Sequence, residues 1–281
     1  MILITGSKGQ LGSEFIKQFE NKYNVKGIDI EQVDITDLDS TVNYISAIKP
    51  SIIIHCAAYT NVDGCESDKD IAFKVNAIGT RNVAMAAEKV GAKLVYISTD
   101  YVFDGEKEKP YNEFDRPNPI SIYGLSKLAG EEFVKTFCSR YFIVRVAWLY
   151  GENGNNFVKT IVKLAKEKGE IDVVNDQRGN PTFTKDVVQA VEVIMNSEKY
   201  GTYHVTNEGI ASWYDFACKI VSTFGIDCKA NPTTSDKFIR PAKRPKNSAL
   251  DKMMLRLEFG YKMRYWEEAF EEFAMLMKGR I

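Results

Sequence analysis

The chain has 281 residues, 44% of them hydrophobic, with 37 basic against 38 acidic side chains and a net charge of −1. That length can bury a sizeable core as one large domain or two unequal ones, and the balanced charge, free of blocks of one sign, excludes a global pull toward nucleic acid or anionic membrane. Five cysteines (56, 65, 138, 218, 228) without Cys-x-x-Cys spacing, and histidines only at 55 and 204, exclude a zinc site and a disulfide framework, so no metal ligand is expected. No apolar run reaches the roughly 18 residues of a membrane span. The opening Met-Ile-Leu-Ile-Thr-Gly lacks the basic lead-in of a signal peptide. The expectation is a soluble cytoplasmic protein.

Over the first 150 residues, strand-length apolar runs alternate with helical patterns. Residues 1–5 read as a strand, 10–20 as a helix, 25–29 as a strand and 38–49 as a helix ended by Pro50. A strand over 51–56, a long helix over 72–90, a strand over 93–98, a helix over 123–137 and a strand over 141–148 follow. Near-continuous β-branched runs between helices predict an α/β fold, a doubly wound parallel sheet of Rossmann type. After residue 150 the alternation weakens: helices over 156–168, 184–195, 212–224 and 265–278, strands over 171–174 and 202–205, and a basic, proline-containing loop over 238–247. The expected organisation is a dinucleotide-binding domain over 1–150, with contributions from about 171–205. A smaller, interwoven region over 151–281 mainly binds substrate.

Gly6, Gly9 and Gly12 fall between the first strand and the first helix, with Gln10 and Leu11 opening that helix. Glycines there let backbone approach a pyrophosphate at a helix N-terminus; the plain alternative is an ordinary strand-to-helix turn. Asp29 ends the second strand, where a carboxylate can accept from an adenosine ribose and repel a 2′-phosphate, which favours NADH. Lys8, inside the turn, could pair with that phosphate, so NADPH stays allowed. Asp34, beside Ile35, either faces the adenine or forms a turn or cap. The strand end Cys56-Ala57-Ala58-Tyr59-Thr60 should meet the same cleft, as should Thr99 and Trp148. His55 reads as a packed or cofactor-adjacent ring.

Tyr123 and Lys127 lie four apart, on one face of a helix. A free phenol, with a pKa of about 10, is a poor acid near neutrality until a nearby cation stabilises its phenolate. The pair therefore reads as a proton donor with its tuning ammonium, and the Thr99 hydroxyl can bond the same substrate oxygen. Asn76 either orients the lysine through water or is a helix-surface amide. Trp148 is either core or a ring that packs on a sugar or base. Arg240, Lys243 and Arg244 either pair with a nucleotide diphosphate or form a solvated basic loop. The stretch 104–119 is either a mobile flap or a plain surface loop.

Thr-Gly-x-x-Gly-x-x-Gly over 5–12, Cys56-Ala57-Ala58, Ser98-Thr99-Asp100 and Tyr-x-x-x-Lys together resemble an extended short-chain dehydrogenase/reductase. Further segments resemble the dTDP-4-dehydrorhamnose reductases: Thr60-Asn61-Val62-Asp63-Gly64-Cys65-Glu66, Tyr101-Val102-Phe103, Leu128-Ala129-Gly130-Glu131, Gly154-Asn155-Asn156-Phe157, Asn175-Asp176-Gln177 and Arg244-Pro245-x-Asn247-Ser248. The resemblance runs to about residue 260. It implies reduction of a dTDP-sugar ketone at C4 with NADH or NADPH, and catalysis by Thr99, Tyr123 and Lys127. It implies cofactor contacts from Gly6, Gly9, Gln10, Leu11, Gly12, Asp29, Asp34, Ile35, Cys56, Ala57, Ala58, Tyr59, Asn76, Tyr123 and Lys127. Substrate contacts would come from Thr60, Val62, Thr99, Asp100, Tyr101 and Trp148, a homodimer is one assembly it allows, and Mg2+ dependence stays open. Two positions depart from the family pattern: His55-Cys56, where asparagine-alanine is common, and Arg178, where an uncharged residue is expected. The rival readings are an epimerase or dehydratase of the same fold that returns its NAD unchanged, and a non-catalytic subunit like the regulatory subunit of methionine adenosyltransferase.

Overall fold

The computed structural model describes residues Met1 to Ile281. Its first half runs β1 (Ile2–Thr5), α1 (Gln10–Phe19), β2 (Val25–Ile28), α2 (Leu38–Ile48), β3 (Ile52–His55), α3 (Val62–Ser67), α4 (Lys69–Phe73), α5 (Thr80–Val90), β4 (Lys93–Thr99), α6 (Ile122–Phe137) and β5 (Tyr141–Val146). The second half adds β6 (Leu149–Tyr150), α7 (Phe157–Lys168), β7 (Glu170–Val174), β8 (Arg178–Gly179), β9 (Thr182–Phe183), α8 (Thr184–Met195) and β10 (Gly201–His204). It closes with β11 (Ala211–Ser212), α9 (Trp213–Phe224), β12 (Lys229–Thr233), α10 (Met253–Phe259) and α11 (Trp266–Met277).

Six strands pair in parallel in the order β10-β5-β4-β3-β1-β2. Their period of two sorts the side chains onto two faces. Ile2, Ile4, Ile54 and Val95 meet Phe15 and Phe19 of α1 and Val187, Val188 and Val191 of α8. Leu3, Ile53, Leu94 and Ile143 meet Ile45 of α2, Val83 and Ala87 of α5 and Val134 of α6. Phe15 is fully buried, and truncating such a ring to alanine costs about 3–5 kcal/mol. Strand order reverses between β1 and β3, so a crevice opens above their carboxyl ends, where ligands of such sheets bind.

From the stretch 171–205, β10 extends this sheet and α8 covers it. β7 does not join; it pairs with β12 in a separate two-stranded ribbon. The second half has its own aromatic core, in which Tyr150, Phe183, Phe216, Phe270 and Phe273 interlock. The helix expected over 72–90 starts earlier and is interrupted: α4 and α5 are joined by a π-helical turn over Lys74–Gly79. No helix is long and apolar enough to cross a membrane.

Candidate active site

The carboxyl ends of the strands surround one cleft of about 750 Å³. It brings together Gly6, Gly9, Gln10, Leu11 and Gly12 with Asp29, Asp34, Ile35, Cys56, Ala57, Ala58, Thr60, Val62, Thr99, Asp100, Tyr101, Tyr123 and Trp148. Tyr59, Asn76 and Lys127 lie behind this surface.

The glycine turn is closely built. Gly6 adopts φ +65°, and a Cβ on it would stand 2.6 Å from the backbone N of Ala57; one on Gly12 would collide with the Gly6 carbonyl. No side chain caps the first turn of α1, so its free N–H groups and the positive end of its dipole face the cleft. That is a fit for an anionic pyrophosphate. Across from it, Asp29 Oδ2 accepts from the Lys8 N–H at 2.7 Å and from Ser7 Oγ at 3.1 Å. The Lys8 ammonium itself pairs with Glu31 at 2.8 Å. Asp34 closes a turn by accepting from the Thr36 N–H at 2.9 Å, and Asp37 is the cap of α2.

At the end of β3, His55 is fully buried between the hydroxyls of Thr5 and Thr80, 2.6 and 3.1 Å away, and stacks on Tyr96. Burial, with Lys127 nearby, lowers its pKa to about 3, which keeps it neutral. Asn76 is not a helix-surface amide. Buried in the π turn, it accepts from the Tyr59 N–H at 2.7 Å and donates to the Tyr59 carbonyl at 3.1 Å and to Ser126 Oγ at 3.0 Å. It thereby clamps the cleft wall to the helix that carries Tyr123. A π turn places one extra residue in a helix and is common at functional sites.

Thr99 caps a short turn, accepting from the Tyr101 N–H at 3.2 Å and donating to Asp100 Oδ1 at 2.9 Å. Ser121 caps α6, and Glu66 Oε1 accepts the Ile122 N–H at 2.9 Å. Burial first, and Asp100 next, hold the Tyr123 phenol well above its ordinary pKa, while hydrogen bonding with Thr99 opposes them. Lys127 is itself buried, donates to the Ile97 carbonyl at 2.7 Å and lies 4.2 Å above the Tyr96 ring. Burial lowers its pKa to about 7, with Glu131 pulling the other way. Glu131 is fixed in turn by Ser98 Oγ at 2.6 Å and by both forks of Arg145 at 2.9 and 2.6 Å.

Trp148 follows β5 with φ +46°, a conformation bulky residues avoid. Its indole stacks on Trp213 at 3.4 Å, donates to Ser248 Oγ at 3.2 Å and rests on Gly179. One face is thus occupied from within the protein. Arg178 is exposed and pairs in the β8–β11 ladder, clear of the cleft lining. Arg244 and Arg240 do not stand free: both meet Asp63. The stretch 104–119 is pinned at several points, with Tyr111 donating to Asp104 at 2.6 Å and Lys107 pairing with Asp115. Its Glu113 accepts from the backbone of His204 and Met254. Sequence reasoning missed the supporting roles of Trp213, Ser248, Glu131 and Arg145; Glu131 and Ser248 fall in segments that carry the resemblance, but no local spacing gave them a part in the site.

This architecture and site are those of a nicotinamide-dinucleotide oxidoreductase of the short-chain dehydrogenase/reductase class. Comparison with known proteins then narrows the class. Residues 1–278 match the family model described as RmlD substrate binding domain. The chain is 50% identical to a dTDP-4-dehydrorhamnose reductase from Clostridium acetobutylicum, with a TM-score of 0.97 and 99% of each chain covered. It is 47% identical to the Bacillus anthracis dTDP-4-dehydrorhamnose reductase solved in complex with NADP, with a TM-score of 0.96 and 98% of each chain covered. A dTDP-4-dehydrorhamnose reductase of Aggregatibacter actinomycetemcomitans is 39% identical over 283 residues, covering 95% of this chain and 96% of that protein. The chain belongs to the dTDP-4-dehydrorhamnose reductase family.

Proposed function

We propose that this chain reduces the C4 ketone of dTDP-4-dehydro-β-L-rhamnose to dTDP-L-rhamnose in the cytoplasm, with NADH or NADPH as reductant. The observation that carries the reading is that the hydroxyl-bearing side chains of Thr99 and Tyr123 share one cleft with the uncapped start of α1. Backbone N–H groups around Gly9, Gln10 and Leu11 would hold the pyrophosphate, Asp29 the adenosine ribose, and Asp34 and Ile35 the adenine end. The bound nicotinamide supplies the hydride.

Tyr123 gives its proton to the ketone oxygen, and the Thr99 hydroxyl bonds that oxygen and orients it. The phenol is protonated at neutral pH, as a donor must be, but burial makes it a weaker acid than a free one. The transfer therefore relies on the Lys127 ammonium to stabilise the phenolate once cofactor and substrate are bound. Lys127 keeps hydrogen-bonding capacity beyond the Ile97 carbonyl, enough to bind a ribose hydroxyl at the cleft floor. Thr60, Val62, Asp100, Tyr101 and Trp148 line the remaining wall, where the sugar ring would sit. The Asp29 carboxylate favours NADH, whereas the charged, exposed Lys8 and the NADP complex of the 47%-identical relative support NADPH as well.

Tyr123→Phe tests the reading. It should fold normally and lose about 10²–10⁴ in kcat on the dTDP-4-keto sugar, followed as oxidation of NADH or NADPH. Turnover near the wild-type rate would remove Tyr123 as the proton donor. Product formed without net oxidation of the cofactor would replace the reductase by an epimerase or dehydratase.

A further inference from the structure

The Asp63 carboxylate ties the two halves of the chain together beside the substrate wall. Asp63 Oδ1 and Oδ2 accept from the two terminal nitrogens of Arg244 at 3.1 Å each, and Oδ1 also accepts from the Ala242 N–H at 3.2 Å. Arg240 adds a longer contact at 3.5 Å. Asp63 belongs to α3, directly after Thr60 and Val62 of the cleft. The Arg244 loop is seated closely: a Cβ on Gly105 would stand 2.6 Å from the Lys246 N. Both partners are three-quarters buried, at 22% and 24% side-chain exposure. Burial pushes the Asp63 carboxyl up, but the hydrogen bonds from Arg244 and Ala242 outweigh it and hold it below its ordinary value.

Two contacts lead from this pair to the proton donor. The Arg244 guanidinium lies near the Tyr101 phenol and favours its ionised form, and the Tyr101 ring packs edge-on against Tyr123 at 5.6 Å and 76°. From the same short helix, Glu66 holds the N–H of Ile122, the residue before Tyr123. A bidentate fork fixes direction as well as distance, which a lysine ammonium cannot do.

We infer that Asp63 and Arg244 form a clasp that sets the Tyr101 ring against Tyr123, making both positioning residues for the proton transfer. The inference rests on the reductase reading above. It is tested with Asp63→Asn, Arg244→Lys and the double variant, against the wild-type chain. Turnover of the dTDP-4-keto sugar is measured alongside NADPH affinity, read from nucleotide fluorescence on binding. The clasp predicts that kcat/KM for the sugar falls roughly tenfold in each single variant, and that the double variant falls little further. Arg244→Lys should be impaired although its charge is kept, and NADPH affinity should not move. Wild-type kinetics in Asp63→Asn would overturn the clasp while leaving the reductase reading intact. A parallel loss of NADPH affinity and Tm would overturn it too, by showing a merely structural contact. A wild-type chain that oxidises no NADPH with this sugar overturns the reductase reading first and the clasp with it.

Discussion

Asp100 is 2% exposed, and its Oδ2 has no hydrogen-bond partner. Burial raises its pKa to about 6, against the pull of the Ser248 and Thr99 hydroxyls. The ordinary value of about 3.9 applies to the unfolded chain. Below about pH 4 both states are protonated and the group is neutral to stability; between about 4 and 6 a penalty on folding grows, and above 6 it is complete. Asp100→Asn should therefore raise stability above pH 7, by on the order of 2 kcal/mol, with the gain fading near pH 4. Thermal melts of both chains across that range check it, and an equal gain at both ends would contradict it. A buried carboxylate with an unpartnered oxygen in the cleft lining agrees with the substrate contact proposed for Asp100. Residues whose chemistry lies in a local spacing, such as Gly6, Tyr123 and Lys127, could be read from the chain. Trp213 and Ser248 could not, because they reach Trp148 from 65 and 100 positions away. The geometry of Lys127 was equally hidden: a four-residue spacing gives the helix face, while burial over Tyr96 decides what its ammonium meets.

Among the elements, α6 depends on two glycines for its seat. A Cβ on Gly130 would stand 2.6 Å from the Asn76 carbonyl and collide with the Tyr96 hydroxyl; one on Gly124 would strike the Tyr101 carbonyl. Gly130→Ala should lift α6 off the π turn, lowering stability by about 1–3 kcal/mol and reducing kcat, since Tyr123 and Lys127 travel with the helix. Denaturant unfolding and turnover measure the two effects, and an unchanged kcat would separate helix seating from catalysis. Long periodic helices and β-branched strands were legible because their patterns are local. Several short elements were not, α3, β12 and α10 among them. α3 has only six residues and is capped by Asn61, too short for a periodic signal. β12 contains Pro232, which reads against a strand, yet it lies at the edge of a ribbon where the missing N–H is tolerated. α10 begins without a side-chain cap and spans seven residues.

At the scale of the molecule, the halves are joined through a shared cluster beside the second half's own aromatic core. Val187, Val188, Val191, Ile194, Tyr203, Leu255 and Met263 from beyond residue 150 pack with Phe15, Phe19 and Ile54. Arg264 reaches back to the Asp186 carboxylate at 2.8 and 2.9 Å and ties the C-terminal segment to α8. A fragment of residues 1–150 would expose one face of its sheet over β1, β3 and β4. It should lack near-UV dichroism and a cooperative melt, while the full chain unfolds in one transition; a fragment that melts cooperatively would show that its domain is independent. The alternation of strands and helices revealed the layered sheet, but not which of its faces α8 covers, because nothing in a helix's own periodicity says which face of a sheet its apolar stripe will meet.

The π turn over Lys74–Gly79 makes chain length itself a parameter of the site. It holds one residue more than a regular helix of the same rise. Deleting any residue there would let α4 and α5 wind as one rod and turn everything ahead of the break by about 100°. Asn76 would swing away from Tyr59, and the cleft wall would part from α6. Side chains in that turn that touch nothing could be exchanged freely, but their number could not.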